Sequence, residues 1–572
     1  MSLEGRRRCL EAARGDAPCD VVLRGRVVNV FSGEVVPTGV GICQGVIVGL
    51  GDYSGREVVD VGEAYLLPGL MDAHLHIESS MLSVGEFARA VVPHGTTAIV
   101  CDPHEVANVC GLEGIRALIE ASRPLPLNVY FLAPSCVPAS PFEDAGATLG
   151  PEEVKQVLAW ERVLGLAEVM NYPGTVAGDE ELWAKLQAAQ GRIVDGHAPG
   201  LHGKALQAYL LSGPRSDHEC TQPQEALEKL RSGMTLFLRE GSASRTLDAL
   251  LPVAKEHFGP QWAFACDDIQ AEELLAEGHM DRILRRAVAQ GLPPVQAVQM
   301  ATLHPARYFR LWDEGALAPG YQANVAVVED LKDFRVRAVY FRGRKVAEEG
   351  RALFALPEAA KSPLVPLRQP MQVRSLTREA FRLPPAQRVR VIEVIPHQIV
   401  TRCLLEQPTL EQGEIVADPR RDLLKAVAVE RHRGSGRVGV GLVRGFGLQR
   451  GALATSVGHD AHNLTAVGAS DDDLLRALER VVALGGGLVV VEKGEVRAEL
   501  PLPLAGLMAE GDAAFVAERV RAVREAAAQL GCTLPDPFMT LSFLPLSVIP
   551  ELRLTPRGLV DVNRFALVPL EA

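Results

Sequence analysis

The chain has 572 residues, of which 47% are hydrophobic and 23% are charged, and its formal net charge is -12. This length exceeds what one hydrophobic core supports, so we expect about two to four domains. The negative charge argues against a nucleic-acid partner, because binding to phosphates requires clustered Lys and Arg.

The termini and the cysteines indicate where the protein works. The N-terminal sequence MSLEGRRRCLEAARGD lacks the apolar segment of a signal peptide. No apolar run approaches the roughly 18 residues that a membrane span needs. The ten cysteines are scattered without a C-x-x-C pair, which predicts neither a disulfide framework nor a zinc ribbon. We therefore expect a cytoplasmic protein without a membrane partner.

The first two thirds of the chain predict a barrel with a flanking sheet. Residues 1–66 contain short strands and Gly-containing turns, the first part of a small β-sandwich. From 67 to 305, strands alternate with amphipathic helical segments, as in parallel α/β folds. The eight strand candidates are Leu67–Ala73, Thr97–Cys101, Asn128–Ala133, Leu164–Glu168, Arg192–His197, Arg215–His218, Met234–Arg239 and Ala263–Asp267. Eight such units predict a (β/α)8 barrel of the TIM type.

The remainder of the chain completes the sheet and adds a domain. Short strands in residues 306–357 predict the second part of the β-sandwich, which would thus be built from both flanks of the barrel. The proline-containing stretch 358–380 is predicted to be a linker. Residues 381–572 predict a C-terminal α/β domain, with a helix near Asp512–Leu530. The expected fold class is therefore α/β.

The first barrel strand carries a His-x-His pair, His74 and His76. Alternate residues of a strand point to the same face, so both imidazoles would point the same way. Such a pair is well suited to holding a divalent metal. The alternative is a chance pair in a surface turn.

Metal-competent side chains recur where the other predicted strands end, which is where barrels place their chemistry. The candidates are His74, His76, Asp102, His104, Glu105, Glu168, His197, His218 and Asp267. A single buried histidine is usually a hydrogen-bonded core residue, but so many at one rim favour a metal centre. Mixed imidazole and carboxylate ligands suit Zn, Mn or Fe.

Six of these residues exceed the needs of one tetrahedral site, which predicts two divalent metals bridged by Glu168. Such a pair activates water for attack on an electrophilic carbon. Asp267 would take up the proton of that water and pass it to the leaving group. The sequence has no G-x-S-x-G motif for a serine nucleophile, so metal-assisted hydrolysis is the favoured chemistry.

Several motifs together resemble the adenine deaminase family of the amidohydrolase superfamily. They are PGLMDAHLHIESSM, GTTAIVCDPHEVANV, GLAEVMNYPG, DGHAPGLHGK, SDHE, LREGSASR and CDDIQAEELLAEGHMD, with GLVRGFGLQRGALATSVGHDAHN near the C-terminus. The resemblance implies hydrolysis of adenine to hypoxanthine and ammonia at a binuclear Mn or Fe centre, in purine salvage. The partner would be a small purine base, and we expect a homo-oligomer, a dimer or larger.

The resemblance also implies roles for single residues. It makes His74, His76, His197 and His218 metal ligands, Glu168 the bridging carboxylate, and Asp267 both ligand and proton shuttle. Glu78, Asp102 and His104 match motif positions that we assign to catalysis. Glu105, Arg239 and Ser242 are assigned to substrate binding. The alternative for these last six is hydrogen bonding within the scaffold.

The chain departs from the family pattern at a few positions. Family members commonly have an arginine where this chain has Ile269, which keeps a substituted adenine or a cyclic amide open as the substrate. A non-catalytic barrel is a further alternative, although such a protein would be expected to have lost ligands. His202 replaces a residue that is often small, so it is an extra ligand, a supporting group or without a role. Asn324 replaces a usual Asp in a structural loop.

A second polar cluster, His459-Asp460-x-His462-Asn463, lies in the predicted C-terminal domain. Its spacing allows metal binding, closure over the barrel mouth or the stabilisation of a turn. We favour a mouth-covering or structural role.

Overall fold

The computed structural model describes residues 2–242, 244–369, 371–396 and 398–572. It begins with α1 (Leu3–Arg14), β1 (Cys19–Asn29), β2 (Glu34–Cys43), β3 (Val46–Gly51) and β4 (Gly55–Pro68). β2 pairs antiparallel with β1 and β3, and β4 pairs parallel with β1. The first helix starts after Ser2, whose hydroxyl accepts a hydrogen bond from the backbone N–H of Gly5.

Eight parallel strands follow in chain order. They are β5 (Leu70–Leu75), β6 (Thr96–Cys101), β7 (Asn128–Ala133), β8 (Val163–Val169), β9 (Ile193–Gly196), β10 (Ser216–Asp217), β11 (Thr235–Arg239) and β12 (Trp262–Ala265). β5 to β9 form one ladder and β10 to β12 another. Arg215 N donates to Val194 O at 3.0 Å and Asp267 N donates to His74 O at 2.9 Å, so the two ladders close into a ring. The predicted (β/α)8 barrel is confirmed.

Helices surround the barrel and cover its outer face. They are α2 (Val84–Val91), α3 (His104–Ser122), α4 (Pro151–Leu158), α5 (Tyr172–Ala177), α6 (Glu180–Ala188), α7 (Gly203–Ser212), α8 (Pro223–Arg231), α9 (Leu247–Glu256), α10 (Ala271–Glu277), α11 (Met280–Ala289), α12 (Pro294–Met300) and α13 (Leu303–Tyr308). α4 and α8 begin with a proline, which suits the first turn because its N–H would have no partner there. Inside the ring, Val100, Leu132, Ala167 and Phe237 pack into an apolar core.

The chain then returns to the first sheet through β13 (Val325–Val328), β14 (Val336–Phe341), β15 (Arg344–Glu348) and β16 (Arg351–Ala352). β13 pairs antiparallel with β4, where Val325 faces Pro68 and Ala326 faces Leu67. Both flanks of the barrel therefore share one eight-stranded sheet.

The boundary between this sheet and the barrel falls at Gly69. Leu67, which begins the first predicted barrel strand, belongs to β4, and β5 starts at Leu70. A Cβ atom at Gly69 would lie 2.0 Å from Thr97 Oγ1, so only glycine lets the chain cross here. The sequence pattern did not mark this change of sheet because the residues on both sides of it are apolar.

After short 3-10 segments at Glu358–Ala360, Ser362–Leu367 and Arg378–Phe381, the chain forms a second large unit. Its elements are β17 (Val389–Val394), β18 (Thr401–Glu406), β19 (Thr409–Glu411), β20 (Glu414–Val416), β21 (Leu424–Val429), β22 (Val438–Arg444), β23 (Ala452–Thr455), β24 (Leu464–Gly468), α14 (Asp471–Ala483), β25 (Gly487–Glu492), β26 (Glu495–Pro501), α15 (Ala513–Gln529), α16 (Pro537–Phe543), β27 (Leu552–Thr555), β28 (Gly558–Asp561) and β29 (Ala566–Val568). Eight of these strands form a sheet in the order β18-β17-β22-β21-β24-β23-β25-β26.

This C-terminal unit packs against the barrel mouth. Ala509 N donates to Met81 O at 2.8 Å, and the Gln270 side chain donates to Asp536 Oδ2 at 2.9 Å. Met81 and Gln270 follow the first and last barrel strands, so the unit contacts the rim on both sides of the closure. In the described part of the chain, no helix has the length and apolar character that crossing a membrane requires.

Candidate active site

Six predicted ligands meet at the carboxyl ends of the barrel strands. His74 lies in β5 and Glu168 in β8, while the others follow the ends of their strands. The six are His74, His76, Glu168, His197, His218 and Asp267. Five of them are buried and His197 is half-buried, so their charges lie largely out of contact with water. The strands bring together residues that are far apart in the sequence.

Glu168 occupies the centre of this group. Its Oε2 lies 2.6 Å from His197 Nδ1 and 3.4 Å from His218 Nε2. Its Oε1 lies 3.4 Å from His76 Nε2 and 3.8 Å from His74 Nε2. Each carboxylate oxygen thus faces a different pair of imidazoles, which is the arrangement of a bridging carboxylate.

Asp267 approaches the same group from the last strand. Its Oδ1 lies 3.0 Å from His76 Nε2 and 3.6 Å from His74 Nε2, and its Oδ2 pairs with Arg239. Burial opposes ionisation, but Arg239 and the neighbouring histidines bring the pKa of Asp267 well below its usual value. Asp267 is therefore a carboxylate at neutral pH.

His104 and Asp102 extend the cluster on one side. His104 Nδ1 lies 3.1 Å from Asp102 Oδ2 and 3.7 Å from Glu168 Oε1. His76 Nδ1 lies 3.0 Å from the carbonyl oxygen of Asp102, which leaves His76 Nε2 facing the centre. The structure thus brings Asp102 and His104, two of the predicted catalytic residues, next to the predicted ligands.

These residues fit a divalent cation. Several sets of donor atoms at this rim lie within 4.8 Å of one another, among them His74, His76 and Asp267; His74, Glu168 and His218; His76, Asp102, His104 and Glu168; and His197, His218 and Glu219. Among the described residues, neither ring nitrogen of fully buried His74 has a hydrogen-bond partner. Leaving buried polar atoms unpaired is costly, and metal coordination at a ring nitrogen would relieve that cost.

Two further carboxylates belong to the site and were missed in the sequence. Glu219 pairs with Arg239 and lies 3.5 Å from His218 Nε2. Asp195 Oδ2 lies 3.8 Å from His74 Nδ1, and Asp195 Oδ1 accepts a hydrogen bond from Tyr308 at 2.9 Å. Glu219 lies in the SDHE segment and Asp195 in the VDGH segment, each within two residues of a predicted ligand. That proximity was the signal in the sequence that could have identified them.

Glu78 reaches the site from a 3-10 helix, Ile77–Ser80, rather than from a continued strand. Its Oε1 accepts a hydrogen bond from Val106 N at 3.0 Å. Within the described chain its Oε2 has no hydrogen-bond partner. Burial, helped by the negative charge of Glu105, raises the pKa of Glu78 to about 7. Burial therefore favours the protonated form of this carboxyl group.

Glu105 joins the barrel to the C-terminal unit. His459 Nδ1 lies 2.6 Å from Glu105 Oε1, and His462 Nε2 contacts Glu105 Oε2. Although burial opposes ionisation, these histidines and His104 hold the pKa of Glu105 well below its usual value. The His459–Asn463 cluster therefore lies against a predicted substrate-binding residue at the barrel mouth, and its covering role stays a prediction.

The other two predicted substrate-binding residues occupy different surroundings. Buried Arg239 pairs with both Asp267 and Glu219. Ser242 accepts a hydrogen bond from Gln270 N and donates to Glu273, both at 2.9 Å. It lines a cavity of about 250 Å³ between the barrel and the C-terminal unit. Ala243, next to Ser242 in the LREGSASR motif, lies outside the described residues.

The positions where the chain departs from the family pattern are also defined. Ile269 is fully buried and packs in the large hydrophobic core. His202 is exposed and its Nδ1 lies 2.8 Å from Gly200 O, a contact within its own loop. Asn324 Oδ1 accepts a hydrogen bond from Arg342 N at 2.9 Å, as a structural loop residue does.

A buried set of imidazoles and carboxylates at the rim of a (β/α)8 barrel is the arrangement of a metal-dependent hydrolase. Residues 65–346 match the Amidohydrolase family, and residues 398–566 match the adenine deaminase C-terminal domain. The fold and the site thus define a protein of the metal-dependent amidohydrolase class.

Whole-chain relatives narrow this class. The chain is 47% identical to an adenine deaminase from Oleidesulfovibrio alaskensis and 46% identical to one from Methanothrix thermoacetophila, in each case over 98% of both chains. Among solved structures, the beta-aspartyl dipeptidase from Fervidobacterium islandicum aligns at a TM-score of 0.45 and 15% identity, over 59% of this chain and 99% of that one. The chain belongs to the adenine deaminase family.

Proposed function

We propose that the protein hydrolyses adenine to hypoxanthine and ammonia in purine salvage and adenine catabolism. The observation that carries this proposal is the bridging position of Glu168 between two pairs of histidines. It is supported by relatives named adenine deaminase that match the chain over nearly its whole length. A mixed set of imidazole and carboxylate donors suits Mn, Fe or Zn. The resemblance of the sequence motifs to the adenine deaminase family favours two Mn ions, with Fe or Zn as alternatives.

The proposed ligands are the six residues at the rim, His74, His76, Glu168, His197, His218 and Asp267. Glu219 and the Asp102–His104 pair offer further donor atoms within the same space. Two bound cations would lower the pKa of a water molecule and stabilise the negative charge that develops as it attacks the ring.

The protein's own groups would handle the protons. Asp267, kept ionised by Arg239, accepts the proton of the attacking water and delivers it to the amino nitrogen on C6 of adenine. As the C–O bond forms at C6 and the C–N bond breaks, one proton of the water ends on the amino group, which leaves as ammonia, and the other ends on a ring nitrogen of hypoxanthine. Glu78, whose pKa is about 7, is suited to exchange a proton with a ring nitrogen. Asp102 and His104 orient the groups around them.

The substrate-binding residues would hold the planar base. Glu105 offers a buried carboxylate that can accept hydrogen bonds from the N–H groups of the purine. Arg239 would act through Asp267 and Glu219, while Ser242 lies at the cavity on the outer side of the site. The protein would act in the cytoplasm as a homo-oligomer.

Adenine turnover by the purified protein tests this proposal. The protein is loaded with Mn and incubated with adenine, N6-substituted adenines and a cyclic amide, while ammonia and ultraviolet absorbance are recorded. Ammonia release and loss of adenine absorbance, both abolished by a chelator, are expected. Turnover of only a substituted adenine or the cyclic amide would replace the proposed substrate, and no turnover with bound metal would favour a non-catalytic barrel.

A further inference from the structure

We propose that His459 and His462 of the C-terminal unit are positioning residues that fix the Glu105 carboxylate for purine binding. This inference rests on the proposed function and deepens it. The C-terminal unit would then complete the active site, and the barrel would bind the purine poorly without it.

The first support is that each histidine takes a different oxygen of the same carboxylate. His459 Nδ1 lies 2.6 Å from Oε1 of Glu105, and His462 Nε2 contacts Oε2. All three side chains are buried. A carboxylate held at both oxygens has one orientation, whereas a single contact would leave it free to rotate.

The second support is that the proton on His462 is defined. The backbone N–H of Gly458 donates to His462 Nδ1 at 3.2 Å, so Nδ1 serves as the acceptor. The neutral ring then carries its proton on Nε2, which donates to Glu105. The loop is also fixed, because Arg431 donates to the carbonyl oxygens of His462 and Ala505.

The third support is that His459 is held from its other side. Its ring stacks on Phe543 of α16, with centroids 4.6 Å apart and planes 16° from parallel. His459 also lines a small cavity together with Glu78 and Ser79 of the barrel. The histidine thus faces space beside the predicted catalytic residues and is not enclosed within its own unit.

Glu105 connects this loop to the predicted metal ligands. Its Oε1 lies 3.6 Å from His104 Nε2, and His104 Nδ1 lies 3.7 Å from Glu168. A shift of Glu105 would therefore displace the groups around the purine as well as its own hydrogen bonds. Misplacing a binding group by about 1 Å can cost about a hundredfold in rate.

Substitutions that keep or remove the donor atom test this role. His462→Gln places an amide N–H near the former Nε2, and His459→Asn places one near the former Nδ1. His462→Ala and His459→Ala remove these donors. His432→Gln is the matched control, because His432 Nε2 contacts Ala461 O in the same loop and His432 is not a partner of Glu105.

If the wild type deaminates adenine, we expect kcat/KM of each Ala variant to fall about 10-fold or more, mainly because KM rises. This is the effect expected when a hydrogen bond to a charged partner is lost. The Gln and Asn variants should recover most of this loss, and the control should match the wild type. Metal content and melting temperature are measured for every variant.

Three results would overturn the inference. The first is that the Ala variants are no more impaired than the His432→Gln control. The second is that His462→Gln and His459→Asn are as impaired as the Ala variants. The third is that a bound metal ion is lost when His459 or His462 is replaced. A double-mutant cycle between Glu105→Gln and His462→Ala on thermal stability tests the contact without any turnover. If the wild type does not deaminate adenine, the proposed function is wrong. If the wild type is active and the Ala variants have the same KM as the His432→Gln control, only this inference is wrong.

Discussion

Asp267 and His76 are joined twice across the seam where the barrel closes. The backbone N–H of His76 donates to Asp267 O at 3.0 Å, and Asp267 Oδ1 lies 3.0 Å from His76 Nε2. Asp267 holds a left-handed backbone conformation, with φ of 62°. The first and last strands thus place a carboxylate and an imidazole together at a fixed point of the fold.

Asp267→Asn is expected to leave the fold intact and to stop turnover. Asn tolerates a positive φ, so the seam should persist. The amide cannot accept the proton, and kcat should fall about 10²–10⁴-fold. Ammonia release at saturating adenine measures this, with exposed Asp248→Asn as the control. A kcat near that of the wild type would contradict the proton-shuttle role.

Glu168→Gln is expected to weaken metal binding at both sides of the bridge. The amide keeps the size of the side chain but removes the negative charge that faces four histidines. Elemental analysis after dialysis against Mn should show less metal per chain, with an affinity loss of more than about 10-fold. Glu161→Gln, at an exposed position, is the control. Unchanged metal content would argue against a bridging role.

Arg239→Met is expected to move the acidic limb of the kcat profile to higher pH. Arg239 lowers the pKa of Asp267, so its removal raises that pKa and leaves less of the ionised carboxylate at any given acidic pH. Arg239→Lys keeps the charge and should shift the limb less. Measurement of kcat against pH distinguishes the two variants. Identical profiles for wild type and Arg239→Met would show that Arg239 does not control this proton.

Glu314→Gln is expected to stabilise the protein at neutral and alkaline pH. Burial raises the pKa of Glu314 from 4.5 to about 7, although Tyr130 and Asn128 donate hydrogen bonds to its Oε1. The folded state therefore binds the proton more tightly than the unfolded state, and wild-type stability falls as pH rises from 4.5 to 7.

Over this pH range the free energy of unfolding of the wild type falls by up to about 3 kcal/mol. The glutamine variant would not show this decrease, because its amide does not ionise. Melting temperatures of the two proteins should coincide below pH 4.5 and diverge above pH 7, with the variant higher. A pH-independent difference would instead indicate a packing effect.

The barrel and the position of the candidate ligands at its rim were predictable because strand ends and metal-competent residues coincide along the sequence. His197 and His218 follow directly after β9 and β10, so locating the strand also locates the ligand. The family prediction was confirmed by the whole-chain relatives. The roles assigned to single residues stay predictions.

Contacts between distant segments were not predictable. Glu105 and His462 are 357 positions apart, and no local pattern indicates that the two side chains meet. Glu219 directly follows the predicted ligand His218, but no pattern in the sequence indicated a role for it, because its partner Arg239 lies on the next strand. The contact between Glu105 and His462 depends on how the C-terminal unit packs against the barrel, which hydrophobic periodicity does not encode.

The sheet that joins β4 to β13 has a consequence for synthesis of the chain. Pro68 and Val325 are partners in this ladder, and nearly the whole barrel is made between them. The ladder of β1 to β4 leaves the ribosome first, and the edge of β4 that faces away from β1 has no partner strand until β13 follows. The pairing of β4 with β13 therefore forms late. It joins residues that are far apart in the sequence, and such contacts slow folding. A nascent chain cut before residue 325 would present an open β-edge to its neighbours.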